Sequence, residues 1–277
     1  MTRLSRYGIW RGAGELDARL AASIEQLGFG ALWIGGSPEG ELQLAEQLLG
    51  ATERLLVGTG IVNIWKDDAV TVARSFHRIE QRHPNRFLLG IGVGHPEATT
   101  QYARPYEALV HYLDELDQAQ VPVTKRLLAA LGPRVLQLAA DRTAGAHPYL
   151  TTPEHTARAR QVLGPDELLV PEQKVVLDSD PARARAIGRP RVAQPYLGLR
   201  NYLNNLRSLG WSDADLADGG SDALIDALVL HGDADTIAAG LQAHLDAGAD
   251  QVAIQLLTAP GEDPVAGYAE LARALFG

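Results

Sequence analysis

With 277 residues and a formal net charge of −9, the chain has the length of one α/β barrel, typically about 250 residues. Its acidity, with no basic run, excludes a broad phosphate-binding face for nucleic acid. It contains no cysteine, which excludes disulfides, thiolate metal sites and thiol nucleophiles. No apolar run is long enough to span a bilayer and the N-terminus lacks a signal-peptide core, so a soluble, cytoplasmic protein acting on a small molecule is expected.

Apolar runs and helical spacings alternate from the start. Residues 7–10 read as a strand, and Leu16, Leu20, Ile24 and Leu27 then recur at helical spacing until Gly28 offers a C-cap. Residues 31–35 repeat the strand and 41–52, rich in Leu, Ala, Glu and Gln, repeat the helix. Residues 55–61 predict strand three, followed by a helix over 67–82. Strand four covers 87–91, and Tyr106, Leu109, Val110 and Leu113 mark a helix over 105–116. Residues 127–131 predict strand five, with Pro133 in the first turn of a helix through Arg142, where proline is tolerated. Strand six follows at 145–150 and a helix at 153–163. Strand seven is read at 173–177, with 168–170 competing for the same place. The stretch 181–230 is too long for one connection and suggests an inserted pair of helices, placing a helical insertion near 195–230. A helix carrying Ile237, Leu241 and Leu245, a strand at 251–256 and a helix at 266–276 complete the chain. Eight strands interleaved with helices, and no internal linker, predict an α/β fold: a single (β/α)8 TIM barrel over 1–277. An open doubly wound sheet is the alternative that periodicity leaves standing.

In such a barrel ligands bind at the C-terminal strand ends. The most informative stretch is 86–97, where a strand breaks into Gly90, Gly92 and Gly94 and then presents His95 and Glu97. Glycine has no Cβ, so these positions can let a flat or phosphorylated ligand approach the main chain. Thr151 and Thr152, just before a helix at Pro153, could hold a phosphate together with the helix amides. Competing motifs fail: the glycines lack the dinucleotide spacing, no Walker sequence occurs, there is no G-x-S-x-G elbow, and the eight histidines include neither HxH nor HExxH. No metal site is expected. Blander readings stand beside these. His95, before Pro96, reads equally as a loop residue, His147 as a core histidine, Asn63 as a loop cap, and Trp10, Trp33 and Trp65 as packing.

The whole chain resembles the luciferase-like oxidoreductases, and specifically the branch that uses the deazaflavin coenzyme F420. The resemblance is carried by Gly28-Phe-Gly-Ala-Leu-Trp-Ile-Gly-Gly-Ser-Pro38, by the run from Ala51 to Trp65, by His83-Pro-Asn-Arg-Phe-Leu-Leu-Gly-Ile-Gly-Val-Gly-His-Pro-Glu97, and by Gly145-Ala-His-Pro-Tyr149 with Thr152-Pro-Glu-His-Thr156. What it implies is a barrel binding the deazaflavin at its C-terminal mouth, with hydride passing between the ring and an organic substrate. The residues expected to hold the cofactor are Trp10, Gly35, Gly36, Gly60, Ile61, Asn63, Gly92, Val93, Gly94, His147, Thr151 and Thr152. His95 is expected to hydrogen-bond substrate or donate a proton. The resemblance also implies a cis peptide at Gly60-Ile61 and a homodimer. Family members that oxidise sugar phosphates have an acidic residue at the position of His95 and an Asp-His pair where this chain has Gly35-Gly36, so that substrate class is not expected. Two alternatives accompany the reading: an FMN-dependent luciferase-like monooxygenase, and a non-catalytic barrel subunit.

Overall fold

The structure, a computed structural model, describes residues 4–94, 104–259 and 261–277. In chain order its first half runs β1 (Tyr7–Gly12), α1 (Ala18–Gln26), β2 (Ala31–Gly35), α2 (Gln43–Gly50), β3 (Leu56–Thr59), β4 (Val62–Asn63), α3 (Ala69–Arg82), β5 (Phe87–Gly92) and α4 (Pro105–Gln118). The second half runs β6 (Arg126–Leu128), α5 (Pro133–Arg142), β7 (Gly145–Ala146), α6 (Pro153–Leu163), β8 (Leu168–Leu169), β9 (Glu172–Val176), α7 (Pro181–Ala193), α8 (Arg200–Ser208), α9 (Asp213–Leu216), α10 (Asp222–Leu228), β10 (Val229–His231), α11 (Ala234–Asp246), β11 (Val252–Leu256) and α12 (Val265–Phe276).

The helix starts follow from capping chemistry. Asp17, Asp68, Asp180 and Asp233 each accept from an amide of the following turn, satisfying donors that have no partner inside the helix. Proline opens α4, α5 and α6, where its missing N–H costs nothing.

All strand pairings are parallel, in the order β10-β9-β11-β1-β2-β3-β5-β6-β7-β8, with β4 also on β5. The path closes on itself, because only Val170 and Pro171 separate β8, its last strand, from β9, which pairs with β10 and β11 at its other end. Val170 N–H donates to Ala146 O and Glu172 N–H to Pro148 O, while Ala253 N–H donates to Pro171 O. The segment 168–176 is therefore one strand, interrupted where proline has no N–H to give, and it closes the barrel between β7 and β11. The two candidates for strand seven are its two halves.

Strand six is shorter than expected. Leu150 sits at φ 56° with its N–H on the Glu172 carboxylate at 3.0 Å, which pulls the chain off the ladder. The insertion holds three helices, α8 to α10, where a pair was expected. Gly60-Ile61 is trans, contrary to the expectation from resemblance; among the described residues the cis bond is Gln194-Pro195. At Gly60 the N–H donates to Ile34 O at 2.7 Å, and Ile64 N–H then donates to Gly92 O at 3.1 Å, so pairing resumes through β4 with an ordinary trans link.

The main core lies between the strands and the helix ring, and a separate cluster fills the lumen around Trp33, Leu56, Leu88, Leu127 and Ala253. Trp33 reaches across the lumen because its register partner is Gly58, where a Cβ would lie 2.4 Å from the indole. A third cluster packs the insertion onto the barrel rim through Leu150, Tyr202, Leu206 and Leu228. Among the described residues no helix is long and apolar enough to cross a membrane.

Candidate active site

The lumen cluster ends upward in a stacked pair. The His147 ring lies 4.7 Å from Trp33, 18° from parallel, and its Nδ1–H donates to Val170 O at 2.6 Å. A carbonyl only accepts, so Nδ1 carries the proton and Nε2 the lone pair. Burial pushes the imidazole down to about 4, against the opposing pull of the Val170 carbonyl. His147 Nε2 is buried and finds no hydrogen-bond partner among the described residues.

Above this floor opens a cavity of about 360 Å³ at the C-terminal strand ends, lined by Trp10, Gly36, Ile61, Val93, His147 and Tyr149, among others. Eight of the expected cofactor residues line it: Trp10, Gly35, Gly36, Gly60, Ile61, Val93, Gly94 and His147. Gly92, Asn63, Thr151 and Thr152 do not. Asn63 is buried and its Oδ1 accepts Trp65 N–H at 3.0 Å, the loop-capping role. Thr151 and Thr152 are 1% and 2% exposed, so the start of α6 is not an open phosphate seat. His95 and Glu97 lie outside the described residues.

The glycines themselves serve different purposes. A Cβ on Gly35 would fall 2.0 Å from the Trp10 ring, and one on Gly60 would fall 3.1 Å from Trp10 Nε1, so the indole occupies their space. Ile61 and Ala129 fill the room beside Gly92, and Asn63 fills that beside Gly94. Gly36, at φ 77°, meets nothing closer than 3.9 Å. Among the described residues Gly36 is thus open, while at Gly35, Gly60, Gly92 and Gly94 neighbouring protein atoms take the room a Cβ would need.

The far wall is built by residues that no sequence motif marks. Tyr149, Tyr196 and Tyr202 form a ring chain with centroid separations of 5.3 and 4.9 Å, and Trp10 adjoins Tyr149 at 5.1 Å. Behind Tyr149 lie Glu172 and Lys174, both on β9 and both buried, with Lys174 Nζ 3.1 Å from Glu172 Oε1 and 3.9 Å from the Tyr149 ring centre. Burial lowers the Lys174 ammonium against the pull of Glu172 and raises the Glu172 carboxyl against the pull of Lys174. Tyr149 O–H donates to Gln255 Oε1 at 2.9 Å, and burial with the Glu172 charge pushes its phenol up. The signal available in sequence was the i, i+2 spacing of Glu172 and Lys174, which puts two charges on one strand face. Tyr196 and Tyr202 come from the insertion, whose docking no local pattern announces.

Residues 17–119 match the family model described as luciferase-like monooxygenase. No curated protein matches the chain. Among solved structures, an F420-dependent secondary alcohol dehydrogenase in complex with an F420-acetone adduct superposes with TM-score 0.76 at 13% identity, covering 99% of this chain and 100% of that one. A coenzyme F420 dependent tetrahydromethanopterin reductase from Methanopyrus kandleri gives 0.70 at 16%, covering 98% of each chain. The oxygenating constituent of 3,6-diketocamphane monooxygenase from Pseudomonas putida, in complex with FMN, gives 0.69 at 13%, covering 98% of this chain and 95% of that one. With a family-model match over residues 17–119, the span that holds β2 to β5, and an architecture shared with these structures from end to end, the chain has their (β/α)8 barrel fold.

Proposed function

We propose that this protein is an F420-dependent oxidoreductase that passes hydride between a deazaflavin and a small organic substrate at the barrel mouth. The observation that carries the reading is the cavity above Trp33 and His147, which combines apolar walls, the open Gly36 and one buried acceptor, His147 Nε2, without a partner among the described residues. A flat heterocycle with an N–H on its edge fits that set: Ile61 and Val93 offer apolar surface, Gly36 permits close approach, and His147 Nε2 accepts from the ring edge. The volume lies within the range of small-molecule sites, about 300–1,000 Å³. When bound, the deazaflavin supplies a carbon that gives or takes hydride. The chain's own part is to orient the ring, exclude water with Trp10 and the tyrosine wall, and handle the accompanying proton. His95, expected from the sequence to hydrogen-bond substrate or donate a proton, keeps that role in the proposal. A cytoplasmic homodimer is part of the same proposal, supported by the resemblance.

The choice of deazaflavin rests on the textual resemblance, and the competing flavin is FMN. Equilibrium fluorescence titration of the protein with F420 and with FMN tests it. Saturable binding of F420, tighter than FMN, is expected; preference for FMN would favour monooxygenase chemistry, and binding of neither would favour a non-catalytic subunit.

A further inference from the structure

Beside the ring compartment lies a second cavity of about 780 Å³, reaching to Lys174, Gln255 and Leu257 and sharing Trp10, Gly36, Tyr149 and Tyr196 with the first. Lys174 is one of three lysines, with Lys66 and Lys125, among 25 lysines and arginines in the chain. A protein that meets its other cationic needs mostly with arginine keeps lysine at this buried place. Arginine holds its proton under all ordinary conditions, whereas a buried lysine can release one. Burying the ion pair is costly, several kcal/mol per ion before the mutual attraction is counted, and an apolar pair would serve packing as well.

We propose that Lys174 is a catalytic proton donor and acceptor, and that the second cavity seats the carbonyl or hydroxyl oxygen of a ketone, aldehyde or alcohol against its ammonium group. This rests on the oxidoreductase reading above. Glu172, at 3.1 Å, already balances the charge of Lys174, so a neutral oxygen acceptor suits the site better than an anion. The groups facing Lys174 are Glu172 on its own strand, Tyr149 after β7, Tyr196 after α7, Arg191 on α7 and Gln255 on β11. When the carbonyl carbon takes up hydride, its π pair moves to oxygen and the Lys174 proton completes the hydroxyl. The substrate gains two electrons, the hydride donor, a reduced deazaflavin or dihydroflavin, loses two together with one ring N–H proton to solvent, and the neutral amine takes one proton back from solvent, so that hydride and proton both originate from the donor.

Three lysines make isotope labelling decisive. In protein labelled with [6-13C]lysine, the Lys174 signal is expected to titrate below the ordinary lysine range, and it alone of the three is expected to move on addition of cyclohexanone to the cofactor-loaded protein. Lys174→Arg is expected to bind cofactor as the wild type does but to reduce cyclohexanone at least about 100-fold more slowly, the ordinary scale of general acid catalysis. Should that variant misfold, the neutral pair Glu172→Gln/Lys174→Met is expected to show the same split between binding and turnover. Turnover within threefold of wild type in either folded variant, or an unmoved Lys174 signal, overturns the proposal while leaving the oxidoreductase reading intact. A wild-type protein that binds reduced cofactor but leaves cyclohexanone unreduced overturns the carbonyl assignment. Failure of the wild type to bind either cofactor overturns the underlying reading and the proposal with it.

Discussion

His147 and His244 are both held near 4 by burial, His244 with added repulsion from His155. Folded chains therefore bind fewer protons than unfolded ones at pH values between about 4 and the ordinary imidazole value near 6.5. The resulting stability is complete above the unfolded value and is lost as pH falls through that window, by up to about 1.4 kcal/mol per pH unit for each ring. Urea midpoints should thus drop between pH 7 and pH 5, and His147→Phe, which keeps a flat ring on Trp33, should reduce the slope; an unchanged slope would count against the assigned protonation. The glycines make a second residue-scale contrast. On Gly90 a Cβ would sit 1.9 Å from the Thr59 carbonyl oxygen, and backbone cannot step aside, so Gly90→Ala should cost more than about 3 kcal/mol or abolish folding. Gly36→Ala meets open space and should cost only the left-handed strain of about 1–2 kcal/mol. Thermal melts of the two variants check the order.

At the scale of elements, what was legible was what local chemistry sets. The helices expected at 133–142 and 153–163 are α5 and α6 residue for residue, because proline at one end and an exhausted apolar stripe at the other are both local signals. The apolar pattern carries strand six to Leu150 and the structure ends it sooner, since the Glu172 carboxylate that draws that amide away is 22 residues further along. Glu25 shows the same limit. From α1 it accepts the N–H groups of Glu53, Arg54 and Leu55, anchoring the turn into β3 by a contact that no spacing reveals. Glu25→Ala should therefore lower stability by about 1–2 kcal/mol, against about 1 kcal/mol for Asp68→Ala, which removes one helix cap. Chemical denaturation of both variants tests whether the turn outranks the cap.

For the whole molecule, the barrel was readable from the count of alternating elements, and the near wall of the cavity from the rule that strand ends carry ligands. The closure through residues 168–176 was readable only as two competing strands, because proline splits the ladder. The far wall depends on the insertion folding back so that Tyr196 meets Tyr149 at 5.3 Å, a long-range packing event without periodicity. The family resemblance named the ring; it did not point to Glu172 and Lys174. The central claim is that the space bounded by Gly36, Ile61, Val93 and His147 receives a tricyclic redox ring. A crystal structure of the protein soaked with F420 tests it most directly. The account predicts density for the ring in that space with His147 Nε2 at hydrogen-bond distance from its edge, whereas a ring seated elsewhere, or the space filled by rearranged side chains, would contradict it.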